Sequence, residues 1–596
     1  MPSYKAPVRD MQFLLHEVLG FEDITKYDAF AEVDADLADA VLEQAGKFAE
    51  EVLAPLNVIG DHEGCVRHPD GSVTTPTGFK DAYKQMTENG WTALSMDPEY
   101  GGQGMPGMLQ IAASEMWTSS NMAFAMYPGL TGGAIKAIQV GGTPEQKQTY
   151  LPKMMSGEWT GTMNLTEPHC GTDLGMLKTK AVPNADGSYK ISGQKIFISA
   201  GEHDMADNIV HLVLARIEGA PAGTKGISLF IVPKFKLDEN ENPGERNPVS
   251  CGSIEEKMGI HGNSTCVMNY DEAEGYLIGD ENKGLRVMFV MMNEARIGVG
   301  LQGLGQSEVA YQNAAIYAKD RIQGRALTGP QNKDKPADPI IVHPDVRRML
   351  METKAFNEAG RALLYWAAKH EDMEKHSGDE KLAEKCDDYL GLLTPVVKGY
   401  LTDMSMKTTI DCQQIFGGHG FVEEWGMSQF VRDNRIALIY EGANGIQALD
   451  LVGRKLARNG GRALMTLNQE IAGFLAENKD TENLGDFMDG LGGAQKKLTE
   501  ATMWLMQNGM SDPNNAGAGS VDYMHMLGLA TLAYMWAKMA QTALKAQASG
   551  KDDPYYEQKL ITARYFFARI LPEAAAYLVK VETGAAPIMA LDADAF

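Results

Sequence analysis

The sequence predicts an α+β protein built as a helical bundle, a central β domain, a second helical bundle and an appended helical domain. Three observations predict it. Apolar residues follow helical spacing through the first third, short β-rich runs take over across residues 161–280, and helical spacing returns from there to the end. The chain has 596 residues, which at roughly 100–200 residues per domain suits about three to five domains or layers.

In the N-terminal helical domain, expected over residues 1–160, Leu37, Val41, Ala45, Phe48 and Val52 fall on one helical face. Thr143-Pro144-Glu145-Gln146 reads as a capping box that opens a further helix. The central domain, residues 161–280, holds the runs Tyr189–Ile191, Asn208–Leu214 and Ile227–Val232. Turn formers at Asn184–Gly187 and Asp238–Pro243 separate them, which predicts an antiparallel sheet or small barrel. Residues 281–459 regain helical periodicity, broken by the polar connection Thr328–Pro339. Residues 460–596 carry further amphipathic helices, with Gly490–Gly493 and Ser511–Ser520 expected as separators. The second of these reads as a loop too rich in Gly, Asn and Pro to be ordered by propensity. No internal repeat points to a solenoid.

Lys and Arg number 54 against 79 Asp and Glu, a net charge of −25. Phosphate-backbone binding needs clustered cations, so a nucleic-acid or anionic-membrane binder is disfavoured. The six cysteines, at 65, 170, 251, 266, 386 and 412, form no C-x-x-C pair, which fits a reducing compartment and neither a disulfide framework nor a zinc knuckle. Asp10 and Glu17 interrupt the N-terminal segment, so it does not read as a signal peptide. The nearest approach to a membrane span is the short apolar run around Met288. A cytoplasmic protein without an integral membrane segment is expected.

Some motifs are decoys. Gly298-Val-Gly-Leu-Gln-Gly303 matches a dinucleotide fingerprint, with Asp320 at a suggestive distance, but no βαβ unit surrounds it. The better reading is small residues that let two helices approach closely. His169 and Cys170 complete no ligand set, so a loop histidine is expected and no metal. The 35 Met residues suit adaptable core filling and at most hint at a pocket for flexible apolar substrates.

Three segments are specific in combination: Met163–Asp173 before the sheet, Gln194–Gly201 within it, and Gln414–Phe421 followed by Ile439–Gln447. In this order, over about Leu37–Arg458, the chain resembles the acyl-CoA dehydrogenase family. The resemblance implies FAD bound between the β domain and the second bundle, part of it reaching a neighbouring subunit. Met163, Leu165 and Thr166 would contact the isoalloxazine ring, and Phe197, Ile198 and Ser199 would flank it. Gly171 and Thr172 would border the cofactor, Thr172 at a CoA or FAD diphosphate. Arg321 looks like the family arginine at the FAD diphosphate, and Gln414, Gly417 and Gly418 like the turn that receives it from the adjacent protomer. Glycine suits that turn because main-chain N–H groups can approach phosphate closely. Asn444 would be a further cofactor contact.

On the substrate side the resemblance assigns Thr172, Asn293, Arg296, Tyr440 and Gly442, with Glu441 as catalytic base. The base removes the α-proton of a thioester while hydride leaves the β-carbon for the flavin. A carboxylate with an ordinary pKa of about 4.3 becomes a stronger base once substrate excludes water. The thioester oxygen would accept bonds from the Glu441 N–H and a ribityl hydroxyl. A rival base position precedes Arg296, but Ala295 stands there and Glu294 lies about 100° away around a helix. Arg321-Ile-Gln-Gly324 departs from the usual R-x-x-F-G, and Ser199 and Ala443 replace common threonines. These features, with the C-terminal extension, resemble the bacterial branch that includes 3-methylthiopropionyl-CoA and long-chain acyl-CoA dehydrogenases.

The implied function is FAD-dependent oxidation of a saturated acyl-CoA to trans-2-enoyl-CoA in β-oxidation, medium or long chain first and 3-methylthiopropionyl-CoA as the alternative. The implied partners are an electron-transfer flavoprotein and a second protomer, as homodimer or homotetramer. An acyl-CoA oxidase shares the fold and the base and differs in yielding peroxide. A nucleic-acid-binding alkylation-response flavoprotein would need a basic extension, whereas Asp480, Glu482, Asp486 and Asp489 make this one acidic.

Overall fold

The structure, a computed structural model, describes residues 2–596, so Met1 at the start of the expected first domain lies outside the described residues. Ahead of the main sheet run α1 (Val8–Gln12), α2 (Ala35–Phe48), α3 (Ala54–Glu63), α4 (Phe79–Glu88), α5 (Gly107–Ser120), α6 (Met122–Gly141) and α7 (Pro144–Met155), with a small hairpin of β1 (Val66–Arg67) and β2 (Val73–Thr74). The strands that follow are β3 (Trp159–Asn164), β4 (Lys180–Pro183), β5 (Tyr189–Ser199), β6 (Asn208–Ile217), β7 (Ser228–Pro233), β8 (Phe235–Leu237), β9 (Pro243–Arg246), β10 (Val249–Ile254) and β11 (Thr265–Ile278). After them come α8 (Gly284–Asp320), α9 (Pro344–His376), α10 (Glu380–Ile415), α11 (Met427–Arg435), α12 (Asn444–Asp450), α13 (Arg462–Asn478), α14 (Gly485–Ser511), α15 (Pro513–Ala548), α16 (Pro554–Tyr565), α17 (Glu573–Thr583) and α18 (Ala586–Met589). The chain divides into two compact units: Lys47–Met105 with Ser120–Gly298, and Met1–Gly46 with Pro106–Ser119 and Val299–Phe596.

The first of these, the sheet unit, centres on seven strands in the order β10-β11-β5-β4-β6-β3, with β7 pairing β11 and β6. Alternation along β6 sets its two faces: Val210, Leu212 and Leu214 join α6 residues Ala134, Ile135 and Ile138 in one core. Val213 and Ala215 join Ile191, Phe230 and Val232 in the other. The expected antiparallel sheet is corrected to a mixed one, because β6 pairs in parallel with both β3 and β4. A parallel pair needs a long crossover, and the excursion through β4 and β5 supplies it between β3 and β6. The Thr143 capping box is present, with its hydroxyl accepting from the Gln146 N–H and the Gln146 side chain accepting from the Thr143 N–H.

The helical unit pairs α9 and α10 and packs α8 against α10. A Cβ on Gly300 would lie 2.5 Å from Val397 Cγ1 and one on Gly303 2.6 Å from Ser405 Oγ, so these glycines allow close helix contact and form no dinucleotide loop. The polar connection before α9 is folded around buried Asp338, which accepts main-chain N–H bonds from Ala326, Gln331 and Asn332. Both expected separators of the extension are helical instead. Gly490–Gly493 lies inside α14, where a Cβ on Gly490 would meet the Phe567 ring at 2.4 Å. Residues 513–520 open α15, started by Asp512 as N-cap and Pro513 at the first position. Burial against another helix overrides the poor helix propensity of these glycines.

A buried ion network ties the N-terminal segment to the extension. Arg361 meets Asp10 at 2.6 Å, Glu115 at 2.6 Å and Glu308 at 3.2 Å, while Lys559 of α16 meets Glu358 at 2.8 Å and also Asp10. Burial by itself would raise the Asp10 pKa, but Lys559 and Arg361 hold it well below the usual carboxylate range. Among the described residues no helix is long and apolar enough to cross a membrane.

Candidate active site

The residues implied as functional fall in both units. In the sheet unit, the chain leaving β3 runs alongside the end of β5. Ile196 N donates to Thr166 O at 2.9 Å, and Lys195 Nζ donates to Leu165 O at 2.9 Å. Lys195 is fully buried and pairs with Glu167 at 2.8 Å. Glu167 also accepts from the Lys178 N–H at 2.7 Å and from the Thr179 N–H and hydroxyl at 3.0 and 2.6 Å. Desolvation would raise the Glu167 pKa, but Lys195 and these donors keep it below the ordinary value. Glu167, His169 and Cys170 bring potential metal-ligand atoms within 4.8 Å of one another. The Lys195 ammonium already sits against that carboxylate.

This brace fixes an unusual strand end. Phe197 and Ala200 adopt left-handed backbone, φ 59° and 56°, a conformation that costs a bulky side chain on the order of 1–2 kcal/mol. The kink leaves the Phe197 ring 61 % exposed while Ile198 beside it is buried. Met163 and Leu165 are half-buried against the adjoining core, and a Cβ on Gly171 would lie 3.5 Å from Thr166 Cγ2. The structure thus gathers Met163, Leu165, Thr166 and Gly171 beside Phe197, Ile198 and Ser199, with Thr172 exposed next to Gly171. On α8, Asn293 is exposed and Arg296 buried. Glu294 is paired with Lys136 of α6.

In the helical unit, Glu441 occupies a tight turn just ahead of α12. Its φ is 56° and that of Gly442 is 87°. Buried Gln447 donates from Nε2 to the carbonyls of Glu441 and Gly442, at 3.0 and 3.1 Å. Tyr440 donates its hydroxyl to Gln302 of α8, and burial, with the Glu441 charge adding to it, pushes its pKa up. Asn444, expected as a cofactor contact, has its side chain bonded within the chain. It is buried, its Oδ1 accepting from Lys398 at 2.8 Å and its Nδ2 donating to Gly399 O, Thr402 Oγ1 and Asp403 Oδ1 at 3.1, 2.9 and 2.6 Å. Its side chain pins α12 to α10.

At the far end of α8, Tyr317 stacks on Phe416 with ring centroids 4.1 Å apart and bonds His419 Nδ1 at 2.9 Å. Arg321 follows Tyr317 by one helical turn, just past the end of α8. Arg321, Gln414, Gly417 and Gly418 are all exposed. Gly417 is left-handed, φ 57°, and a Cβ on Gly417 or Gly418 would meet nothing within 4 Å, so the main chain is open there.

Family models for the acyl-CoA dehydrogenase N-terminal, middle and C-terminal domains match residues 36–158, 162–273 and 282–456, and one described as acetyl-CoA dehydrogenase C-terminal like matches 467–592. The chain belongs to the acyl-CoA dehydrogenase family. It is an oxidoreductase, and the family is FAD-dependent. It is 43 % identical to a 3-methylmercaptopropionyl-CoA dehydrogenase of Ruegeria pomeroyi, over 96 % of this chain and 97 % of the relative. It is 37 % identical to a broad-specificity linear acyl-CoA dehydrogenase of Mycobacterium tuberculosis, over 100 % of both. The structure of a Bacillus anthracis acyl-CoA dehydrogenase complexed with FAD shares the fold, with a TM-score of 0.74 at 23 % identity, over 98 % of this chain and 92 % of that one.

The residues present fit a flavin. An exposed aromatic ring beside half-buried apolar side chains and main-chain polar groups suits a planar, amphipathic ring. The open Gly417–Gly418 turn and the exposed Arg321 each suit a diphosphate. Sequence reasoning missed Gln447, Lys195 and Glu167. Lys195 had a signal, as the one cation of the segment Gln194–Gly201, whereas Gln447 reads as an ordinary helix residue.

Proposed function

We propose that this acyl-CoA dehydrogenase oxidises 3-methylthiopropionyl-CoA to its trans-2-enoyl thioester, with Glu441 as base and an electron-transfer flavoprotein as electron acceptor. The observation that carries the substrate is the 43 % identity to a relative of that name over 96 % of this chain. Bound FAD supplies the hydride acceptor. Glu441 takes the α-proton, and the Gln447 bonds hold its main chain so that the carboxylate does not search for its position. Gly442 leaves the carbonyl side of the thioester without a side chain. Tyr440, anchored on Gln302, walls the turn. Met163, Leu165, Thr166, Gly171, Thr172, Phe197, Ile198, Ser199, Arg321, Gln414, Gly417 and Gly418 are proposed to hold the cofactor, and Thr172, Asn293 and Arg296 the CoA arm. A homo-oligomer follows from the family's shared cofactor site.

The second reading is the linear medium- or long-chain substrate expected from the sequence, favoured by the 37 % identity to a broad-specificity enzyme across both full chains. One methylene is worth only about 1–3 kcal/mol in a pocket, so the two readings are separated by rate. A ferricenium-coupled scan of the holoenzyme with 3-methylthiopropionyl-CoA and saturated acyl-CoAs from butanoyl to octadecanoyl decides. The highest kcat/KM on the methylthio substrate, absent in Glu441→Gln, supports the proposal. A maximum at eight carbons or more replaces it with the second reading, and full activity in Glu441→Gln removes the base assignment.

A further inference from the structure

Behind the Glu441 turn, four helices of the helical unit are linked in series by side chains. Asn444, the first residue of α12, donates to Asp403 Oδ1 of α10 at 2.6 Å. The other oxygen, Oδ2, meets His525 Nε2 of α15 at 2.9 Å, and His525 Nδ1 meets the Tyr577 hydroxyl of α17 at 3.2 Å. An ionised carboxylate accepts only, so Nε2–H donates to Asp403, and in the neutral ring Nδ1 accepts from Tyr577. The ring of His525 also stands edge-on to Tyr400 and Tyr577, centroids 5.2 and 5.3 Å away, which fixes its plane.

Packing follows the same route. A Cβ on Gly399 would lie 2.4 Å from Met524 Sδ and 3.5 Å from Gln447 Cβ, so one glycine of α10 packs against both the extension and the glutamine that holds the Glu441 turn. A Cβ on Gly528 would lie 2.3 Å from Tyr400 Cδ1, leaving α15 no room to shift. Meanwhile Glu441 is held in left-handed backbone, φ 56°, which a non-glycine residue keeps only where its surroundings over-determine it.

We propose that the C-terminal extension is a positioning element for catalysis, in which His525 acts through Asp403 and Asn444 to hold the Glu441–Gly442 turn in its reactive geometry. This rests on the reading of Glu441 as the base. His525 touches neither the turn nor a ligand and is a positioning residue. Without it the half-exposed Asp403 carboxylate is free to turn to solvent, Asn444 loses its charged acceptor, and α12 slackens at the end that carries the turn.

The test measures flavin reduction by stopped flow in full-length holoenzyme, using the fastest thioester of the scan above and its 2,2-dideuterated form. His525→Ala is expected to slow reduction about tenfold at saturating thioester, with KM within about twofold, FAD content unchanged and a larger deuterium isotope effect. His525→Gln, which can still donate to Asp403, is expected to restore most of the rate, and Tyr577→Phe to show a smaller loss. A purely structural role lowers the number of active sites and leaves the isotope effect where it was. His525→Ala at the wild-type rate, or a loss in step with FAD content at an unchanged isotope effect, overturns the proposal. Should His525→Ala not fold, Tyr577→Phe with wild-type rate and isotope effect overturns it equally. Glu441→Gln runs alongside: if it is inert while His525→Ala is unaffected, only the relay fails, and if it still reduces flavin, the base reading itself fails.

Discussion

Gln447 grips the turn that carries Glu441: its amide nitrogen donates to the carbonyls of Glu441 and Gly442 at once, at 3.0 and 3.1 Å, from a fully buried position. Two adjacent carbonyls can converge on one donor only because both residues are left-handed. Gln447→Met keeps the volume and removes the donor. We expect a stability loss of about 1–3 kcal/mol and a fall in kcat of about tenfold or more with FAD retained. A melting curve and a single-turnover flavin reduction check both, and an unchanged kcat would remove Gln447 from the account.

Phe197 separates stability from cofactor affinity. Its ring is 61 % exposed, so Phe197→Ala is expected to change apo-protein stability by no more than about 0.5 kcal/mol. Loss of the ring against the flavin is expected to weaken FAD binding by about 1 kcal/mol, roughly fivefold in Kd. Fluorescence titration of apo-protein with FAD reads the second quantity. Unchanged affinity there would place the flavin elsewhere.

Lys195 and Glu167 form a buried pair, and such pairs are more sensitive to losing one member than both. Lys195→Met leaves a buried carboxylate uncompensated and is expected to cost about 3–5 kcal/mol, loosening the Leu165–Thr166 segment that Lys195 Nζ also holds. The double variant Lys195→Met with Glu167→Gln is expected to recover more than half of the loss. Urea denaturation of both variants measures the difference, and a double variant no better than the single one contradicts the pairing.

His203 and His211 give the sheet unit an acid limit. Both are buried, with Nε2 of His203 at 2.9 Å from Thr160 Oγ1 and Nδ1 of His211 at 2.7 Å from Thr162 Oγ1. Burial, with the Lys234 charge adding to it, pushes each imidazole down to about 3, against an ordinary value of about 6.5. Folding holds both rings neutral, whereas the unfolded chain takes up protons. Their contribution to stability is therefore complete above about pH 6.5 and is lost as pH falls toward about 3, at up to about 1.4 kcal/mol per pH unit for each ring. Melting temperature is expected to drop steadily from pH 7 to pH 5, with a shallower slope in His211→Gln. A flat profile over that range rules out the neutral buried rings.

Some of this was open to sequence reasoning, because the signals were local. The Thr143–Gln146 capping box and the alternation of Val210, Leu212 and Leu214 against Val213 and Ala215 each depend on residues within a turn or a strand of one another, and the small residues Gly300 and Gly303 stand one turn apart on α8. The position of Glu441 rested on an ordered set of short motifs. Local propensity misjudged Gly490–Gly493 and residues 513–520, where Gly490 packs against Phe567, and where the Asp512 cap and the packing of Gly519 against Leu505 and Val581 hold the helix.

The sequence by itself determined the order of helical and β segments, the excess of acidic charge and the ordered short motifs that carry the family resemblance. Only the tertiary structure decided that β6 pairs in parallel with β3, that Asn444 faces α10, and that the extension packs on the helices behind the Glu441–Gly442 turn. The physical reason is distance along the chain: Asp403 and His525 are 122 positions apart and Asp10 and Lys559 are 549 apart. No periodicity or propensity encodes such partners, because each residue is unremarkable until folding buries it beside the one group that can satisfy its charge or hydrogen bond.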